Sequence, residues 1–259
     1  MLFRYYGICR LEKNRKIIAK IDSLGAFNNM NLFESIKRLK WYEKLIWLVS
    51  ILVILVSFFA FENKEYLTLT ASLIGVTALI FVAKGDVLGQ LLTVVFAVFY
   101  AIVSYKFRYW GEMITYLGMT APIALGAVVT WIKNPYQKGE VKVRHTNPKL
   151  WTILSVLAVA VTVVFYFILK YFDTPNLIVS TISITTSFMA ASLTLLRSSY
   201  YALFYAGNDV VLIILWTLAS FESISYLPMV LCFIMFLVND LYGFINWQRM
   251  KKKQSATVK

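Results

Sequence analysis

Eight runs of apolar residues, each close to the length that crosses a bilayer, constrain this chain more than any other feature. They occupy residues 44–61, 66–83, 87–105, 113–131, 150–169, 177–196, 201–220 and 226–247 of the 259-residue sequence. A helix rising 1.5 Å per residue needs about 20 residues to cross ~30 Å of hydrocarbon. Inside lipid a segment must satisfy its own backbone N–H and C=O groups, so each run is expected to be helical. The expected fold class is an all-α integral membrane protein with eight transmembrane helices.

The net charge of +13 would suggest nucleic acid if it formed one patch. It does not. Of the 26 Lys and Arg, 22 fall in alternate loops and only Lys64, Lys106, Arg108 and Lys170 in the others. That asymmetry is the positive-inside bias and argues against a nucleic-acid partner. With an even number of spans, both basic termini and the 132–149 loop are expected on the cytoplasmic side of an inner membrane, with the lipid bilayer as the constant partner. The first residues, MLFRYYGICRLEKNRK, contain no apolar stretch of the kind that marks a cleaved signal. Cys9 and Cys232 lie too far apart in kind, one in a basic tail and one in a span, to suggest a disulfide framework. His145 is the sole histidine, and no GxxxxGK[ST] loop occurs. The KGDVLG stretch at Lys84–Gly89 is expected to be a turn between spans. No catalytic site, metal site or cofactor is expected.

The organisation follows from the runs. Residues 1–43 form a basic segment, in which 31–41 place Leu32, Phe33, Ile36 and Leu39 on one helical face, with Asn31 and Glu34 as a capping-box variant. A short amphipathic helix on the inner surface is expected there. The segment 44–62 is an extra N-terminal helix, and 66–131 form a first three-helix bundle. After the 132–149 loop, 150–170 are a linker helix and 177–247 a second bundle; 248–259 are a basic tail. An internal repeat suggests this division. Glu112 to Met119 read EMITYLGM and Glu222 to Met229 read ESISYLPM, identical at five of eight positions. Thr68, Thr70 and Ser72 align with Thr181, Ser183 and Thr185, and Lys84 with Arg197. The single linker gives both bundles one orientation, a 3+1+3 plan of parallel repeats with a site expected at their interface near the midplane. Glu112 and Glu222 would then hold matching outer ends of repeat helices, and Pro122 and Pro228 would kink spans four and eight.

The stretch Arg197 to Trp216, RSSYYALFYAGNDVVLIILW, holds the chemistry. Asp209 lies mid-span, where an ionisable group costs about 2.5–3.5 kcal/mol to insert and is by default a site candidate. Asn208 beside it offers donor and acceptor; adjacent helical residues diverge by about 100°, so one of the two is expected to face a pore. Tyr201 and Tyr205, at i and i+4, share a helical face and can stack on a flat base or hold a cation. Gln90, Tyr116, Asn239 and Tyr242 are further polar groups in apolar segments, each needing a partner. Substrate contact and helix–helix hydrogen bonding are both open for these four.

Four features together resemble the bacterial nicotinamide riboside transporter (PnuC) family: the 3+1+3 plan, the Gln90 helix ending in SYKFRYWGE, the Tyr201–Trp216 helix, and NDLYGFINW from Asn239 to Trp247. The resemblance covers about residues 66–247 and implies a fold similar to that of the SWEET sugar carriers. It implies facilitated diffusion of nicotinamide riboside for NAD synthesis, with a cytoplasmic riboside kinase trapping the product. Relatives carrying deoxyribonucleosides or thiamine are the alternative, and a lipid-modifying enzyme or scaffold a more distant one. The family's Trp-x-x-Trp and following Asn fall on Ala202, Tyr205 and Asp209, so the usual aromatic clamp is altered here. Asp209 would then pair with a cationic pyridinium, accept hydrogen bonds from ribose hydroxyls, or stay protonated. Assembly into homo-oligomers is left open.

Overall fold

The computed structural model describes residues 32–60, 65–136 and 139–256. Asn31 and the basic segment before it lie outside the described residues. The elements run α1 Leu32–Lys37, α2 Trp41–Ala60, α3 Tyr66–Lys84, α4 Val87–Lys106, α5 Trp110–Thr115, a π turn Tyr116–Thr120, α6 Ala121–Ile132, α7 Pro148–Tyr171, α8 Leu177–Leu195, α9 Tyr201–Glu222, a 3-10 turn Ile224–Tyr226, and α10 Leu227–Ala256. Eight of these segments are long and apolar enough to cross a membrane, with α5, the π turn and α6 forming one span. They fall on the eight runs of the sequence.

Six spans close into a ring: α3 packs on α4, α4 on α6, α6 on α8, α8 on α9, α9 on α10, and α10 back on α3. Outside the ring, α2 lies against α3 and α10, while α7 lies against α8 and touches α5. These outer helices show the apolar surface that lipid requires, such as Leu52 and Val56 on α2 and Val159 and Phe167 on α7. Each of these outer helices thus flanks a ring helix, α2 beside α3 and α7 beside α8.

Two connections on the basic face, after α3 and after α8, share a turn. After α3, Gly85 takes φ +75 and its backbone closes the helix, Gly85 N bonding Val82 O and Asp86 N bonding Phe81 O. Asp86 then caps α4 by accepting from Leu88 N at 3.0 Å. After α8, Arg197 takes φ +57, and Ser198 Oγ accepts from Tyr200 N at 3.3 Å. The 133–147 loop crosses both turns: Val141 N donates to Gly85 O and Arg144 N to Arg197 O, each at 2.9 Å. At the two seams between halves an indole donates to a backbone carbonyl, Trp131 Nε1 to Thr194 O at 3.0 Å and Trp247 Nε1 to Val82 O at 2.9 Å.

Three local expectations are corrected, at Glu112 and Glu222, at Lys84, and at Pro228. Glu112 opens the fourth span and is buried, whereas Glu222 is the exposed last residue of α9. The two octapeptides therefore do not occupy equivalent places. Lys84 does not match Arg197; the left-handed Gly85 does. Pro122 follows the π turn, where its missing N–H leaves the carbonyl four residues back without an α-helical partner. Pro228 sits in the first turn of α10, where no intrahelical donor is lost, so it kinks nothing.

The ends of the chain also differ from expectation. On the α1 segment Leu32 and Phe33 are exposed, but Leu39 is buried and Ile36 packs with it on Ile80, Phe81 and Leu88. The apolar stripe is therefore split between surface and protein. At the other end α10 continues past Trp247 to Ala256, because Gln254 binds the loop backbone through Val143 N at 2.8 Å and Val141 O at 3.1 Å.

Candidate functional site

Asp209 on α9 meets a second acid, Asp240 on α10, across a cavity of about 40 Å³ inside the ring. The two carboxyl groups lie within hydrogen-bonding reach of each other, and both residues are 3% exposed. A carboxylate carries no donor, so two carboxyls join by a hydrogen bond only when one proton is shared between them. Two carboxyls this close in a low dielectric are not both ionised, so the pair holds at most one negative charge. Asp209 Oδ2 is buried without a hydrogen-bond partner among the described residues.

Asn208 also lines the cavity. Its Oδ1 accepts from Thr186 Oγ1 at 2.8 Å and Ser183 Oγ at 3.2 Å, both on α8. Both partners are hydroxyls, which donate or accept, so they hold the amide in place with either end toward them. Both neighbours thus contribute, contrary to the expectation of one. The ~100° between them is spanned because Asn208 turns toward α8 and Asp209 toward α10.

Tyr205, Tyr116 and Gln90 also line the cavity, with Thr93 and Phe96 on α4 and Gly75, Ala78 and Leu79 on α3. Gly75 has a structural reason. A Cβ there would collide with the Phe236 ring, so only glycine lets α3 and α10 close at this level. Tyr116 is the first residue of the π turn, whose wider coil turns its ring toward α4, 4.3 Å from Tyr100 between centroids.

Aromatic packs close the cavity on both sides. Away from the basic face, Phe96 contacts Phe236 at 5.4 Å and Tyr116 at 5.8 Å, and Tyr100 accepts from Trp216 Nε1 at 3.1 Å. Toward the basic face, Tyr201 packs on Trp247 at 4.7 Å, which in turn packs on Trp131 at 5.4 Å. About 40 Å³ holds a few waters, whereas drug-sized ligands occupy pockets of roughly 300–1,000 Å³. The molecule is described in a closed conformation, and a nucleoside-sized solute requires the helices to part.

Three of the sequence candidates lie elsewhere. Tyr201 is fully buried in the inner aromatic pack, below the cavity. Asn239 donates to Ser50 Oγ at 3.0 Å and to Met235 O at 2.7 Å, so it ties α10 to α2. Tyr242 donates to Glu43 Oε1 at 2.5 Å, and Lys84 pairs with the same oxygen at 3.3 Å. Their shared reason is the heptad geometry of α10: Asn239 and Tyr242, three apart, face α2, while Asp240 faces the ring. Asp240 was missed although it satisfies the rule that singled out Asp209, an acid inside a span. Glu112 is another buried acid, 1% exposed and placed near Ser183. Ala202, at the first of the family's tryptophan positions, is buried in the inner pack; Tyr205, at the second, reaches the cavity.

Comparison with known proteins gives a family and several relatives. A family model described as nicotinamide mononucleotide transporter matches residues 65–249. A nicotinamide riboside transporter PnuC from Neisseria mucosa is 28% identical over 218 residues, 82% of this chain and 82% of that protein. One from Haemophilus influenzae is 22% identical over 213 residues, 81% of this chain and 91% of that protein. A crystal structure of the vitamin B3 transporter PnuC superposes with a TM-score of 0.73 at 25% identity, over 83% of this chain and 94% of that one.

Proposed function

The chain belongs to the nicotinamide mononucleotide transporter family, and from that premise we propose that it carries nicotinamide riboside across the membrane by facilitated diffusion, with Asp209 and Asp240 facing the pyridinium. It is a multi-pass membrane transporter and not an enzyme. The observation that carries the substrate reading is the acid pair. With one shared proton the pair would hold a single negative charge, the complement of the single positive charge on a nicotinamide riboside. Tyr205 and Tyr116 supply aromatic faces for a flat ring, and the Asn208 amide supplies a hydrogen-bonding group for ribose hydroxyls.

The same reading places both termini and the 132–149 loop in the cytoplasm of a bacterial cell, supported by the Lys and Arg bias. It divides the ring into two parallel three-helix repeats, supported by the matched turns at Gly85 and Arg197 and the matched indole bonds at the seams. A cytoplasmic riboside kinase would trap the imported solute. A neutral deoxyribonucleoside lacks the charge that the acid pair answers, whereas thiamine carries it.

The direct test is calorimetry of the purified protein against nicotinamide riboside, thiamine and thymidine, followed by uptake into proteoliposomes. Binding and flux of the riboside in preference to the neutral thymidine are expected. Flux of thymidine or thiamine alone would leave the family intact and overturn the substrate.

A further inference from the structure

A second cavity, of about 410 Å³, opens on the basic face at the junction of α1, α3, α10 and the 139–140 segment. Arg38, Lys40, Lys84, Arg249 and Lys253 line it against two acids, Asp86 and Glu140, an excess of three positive charges. Two of the cations are held by partners. Asp86 accepts from Arg38 Nη2 at 2.6 Å, and also from Ser35 Oγ and Leu88 N, so its acceptor capacity is largely used. Lys84 is paired with the buried Glu43, just behind the wall.

Arg249 and Lys40 lie at the mouth. Arg249 is exposed and makes no ion pair among the described residues. Lys40 is exposed too, with its ammonium 5.5 Å above the Tyr42 ring. A hydrogen bond with Tyr42 raises the Lys40 pKa, so it is charged at neutral pH. The wall is built rather than incidental. Gly139 has φ +76, and a Cβ on it would overlap the Arg38 guanidinium, so a glycine is needed to seat that arginine against Asp86.

We propose that this cavity binds a phosphate group, as part of a nucleoside monophosphate or of a phospholipid headgroup. A guanidinium gives a phosphate two parallel N–H donors, and flanking ammonium groups add point charge. A phosphate monoester carries about −1.5 to −2 at neutral pH, close to the excess on the lining. The volume falls within the usual range for a small-molecule ligand, so sugar and base have room beside the phosphate. The site is separate from the cavity between the acids, and its test is equilibrium binding, so it succeeds or fails independently of the transport reading.

The test uses the full-length protein. In detergent, calorimetry compares nicotinamide mononucleotide, inorganic phosphate and nicotinamide riboside as titrants, for wild type, Arg249→Gln, and the Arg249→Gln/Lys40→Gln pair. Lys252→Gln, an exposed α10 lysine outside the lining, is the matched loss of charge. In a second arm, native mass spectrometry counts phosphatidylglycerol retained from mixed phosphatidylcholine nanodiscs. Binding of the mononucleotide that weakens about tenfold per removed contact, and not with Lys252→Gln, supports the proposal and identifies a free phosphorylated nucleoside. Retention of phosphatidylglycerol that follows the same variants, without mononucleotide binding, supports it with a lipid source. Neither phosphate probe bound by wild type, or equal losses for Arg249→Gln and Lys252→Gln, overturns it.

Discussion

Asp240 changes what a substitution at Asp209 does. From the sequence, Asp209→Asn should weaken cation binding by removing its charge. With Asp240 in reach, an amide at 209 donates to the Asp240 carboxylate and imitates the shared-proton pair, so one negative charge survives. Either single Asn variant should therefore bind the riboside within a few-fold of wild type. The double variant loses the charge, and about 1.5–3 kcal/mol with it, or roughly ten- to a hundredfold in affinity. A neutral nucleoside should lose much less, whereas Tyr205→Ala should weaken every flat ligand by about 0.5–2 kcal/mol. Calorimetry decides it: equal losses for cationic and neutral ligands in the double variant would remove the electrostatic role. On the turn after α8, Arg197 holds a left-handed backbone where the other half has Gly85. Burial, and then the neighbouring Arg144, pull its pKa down, so neither its conformation nor its charge is favoured there. We expect Arg197→Gly to raise stability by about 1 kcal/mol, read as a higher melting temperature in detergent. Five of the eight residues singled out from sequence reach the cavity: Gln90, Tyr116, Tyr205, Asn208 and Asp209. Asn239, Tyr242 and Tyr201 do not, because polarity in an apolar run signals that a partner exists, not which neighbour supplies it.

At the scale of the element, glycine decides how closely helices approach. Gly75 meets Phe236, whereas Gly207 on α9 has nothing within 4 Å of its would-be Cβ. Gly75→Ala should force Phe236 aside and cost about 1–3 kcal/mol through overpacking. Gly207→Ala should be neutral or stabilising by up to about 1 kcal/mol, from helix propensity alone. Thermal unfolding of the two variants side by side tests this, and a stable Gly75→Ala protein would show that the α3–α10 contact is softer than its geometry implies. Span positions were legible because lipid imposes one length and one periodicity rule on every helix. The π turn at Tyr116–Thr120 was not, since Pro122 marks a disturbed hydrogen-bond ladder without saying how the ladder is repaired. The octapeptide match also misled. Glu112 and Glu222 look alike in sequence, but one begins a span and the other ends the span before it.

At the scale of the whole molecule, a ring of six helices closed by aromatic packs above and below a central acid pair implies a carrier that exposes its site to one face at a time. Opening toward the basic face must disturb the seams where Trp131 and Trp247 bind Thr194 and Val82 across the halves. The energetics of that cycle follow from what crosses. If the pair keeps its one shared proton in both orientations, each turnover moves the riboside's single positive charge and no proton. In vesicles without a kinase and at zero membrane potential, the riboside should then equilibrate and stop at equal concentrations, whatever the pH gradient. An inside-negative potential of about 100 mV is worth ~2.3 kcal/mol to a univalent cation, so accumulation should rise roughly fiftyfold, while a neutral nucleoside that crosses should not respond. An encapsulated riboside kinase and ATP should drive further uptake by removing free riboside. Accumulation driven by a pH gradient at zero potential would mean that Asp209 and Asp240 exchange their proton during the cycle, and would make the protein a proton-coupled carrier instead.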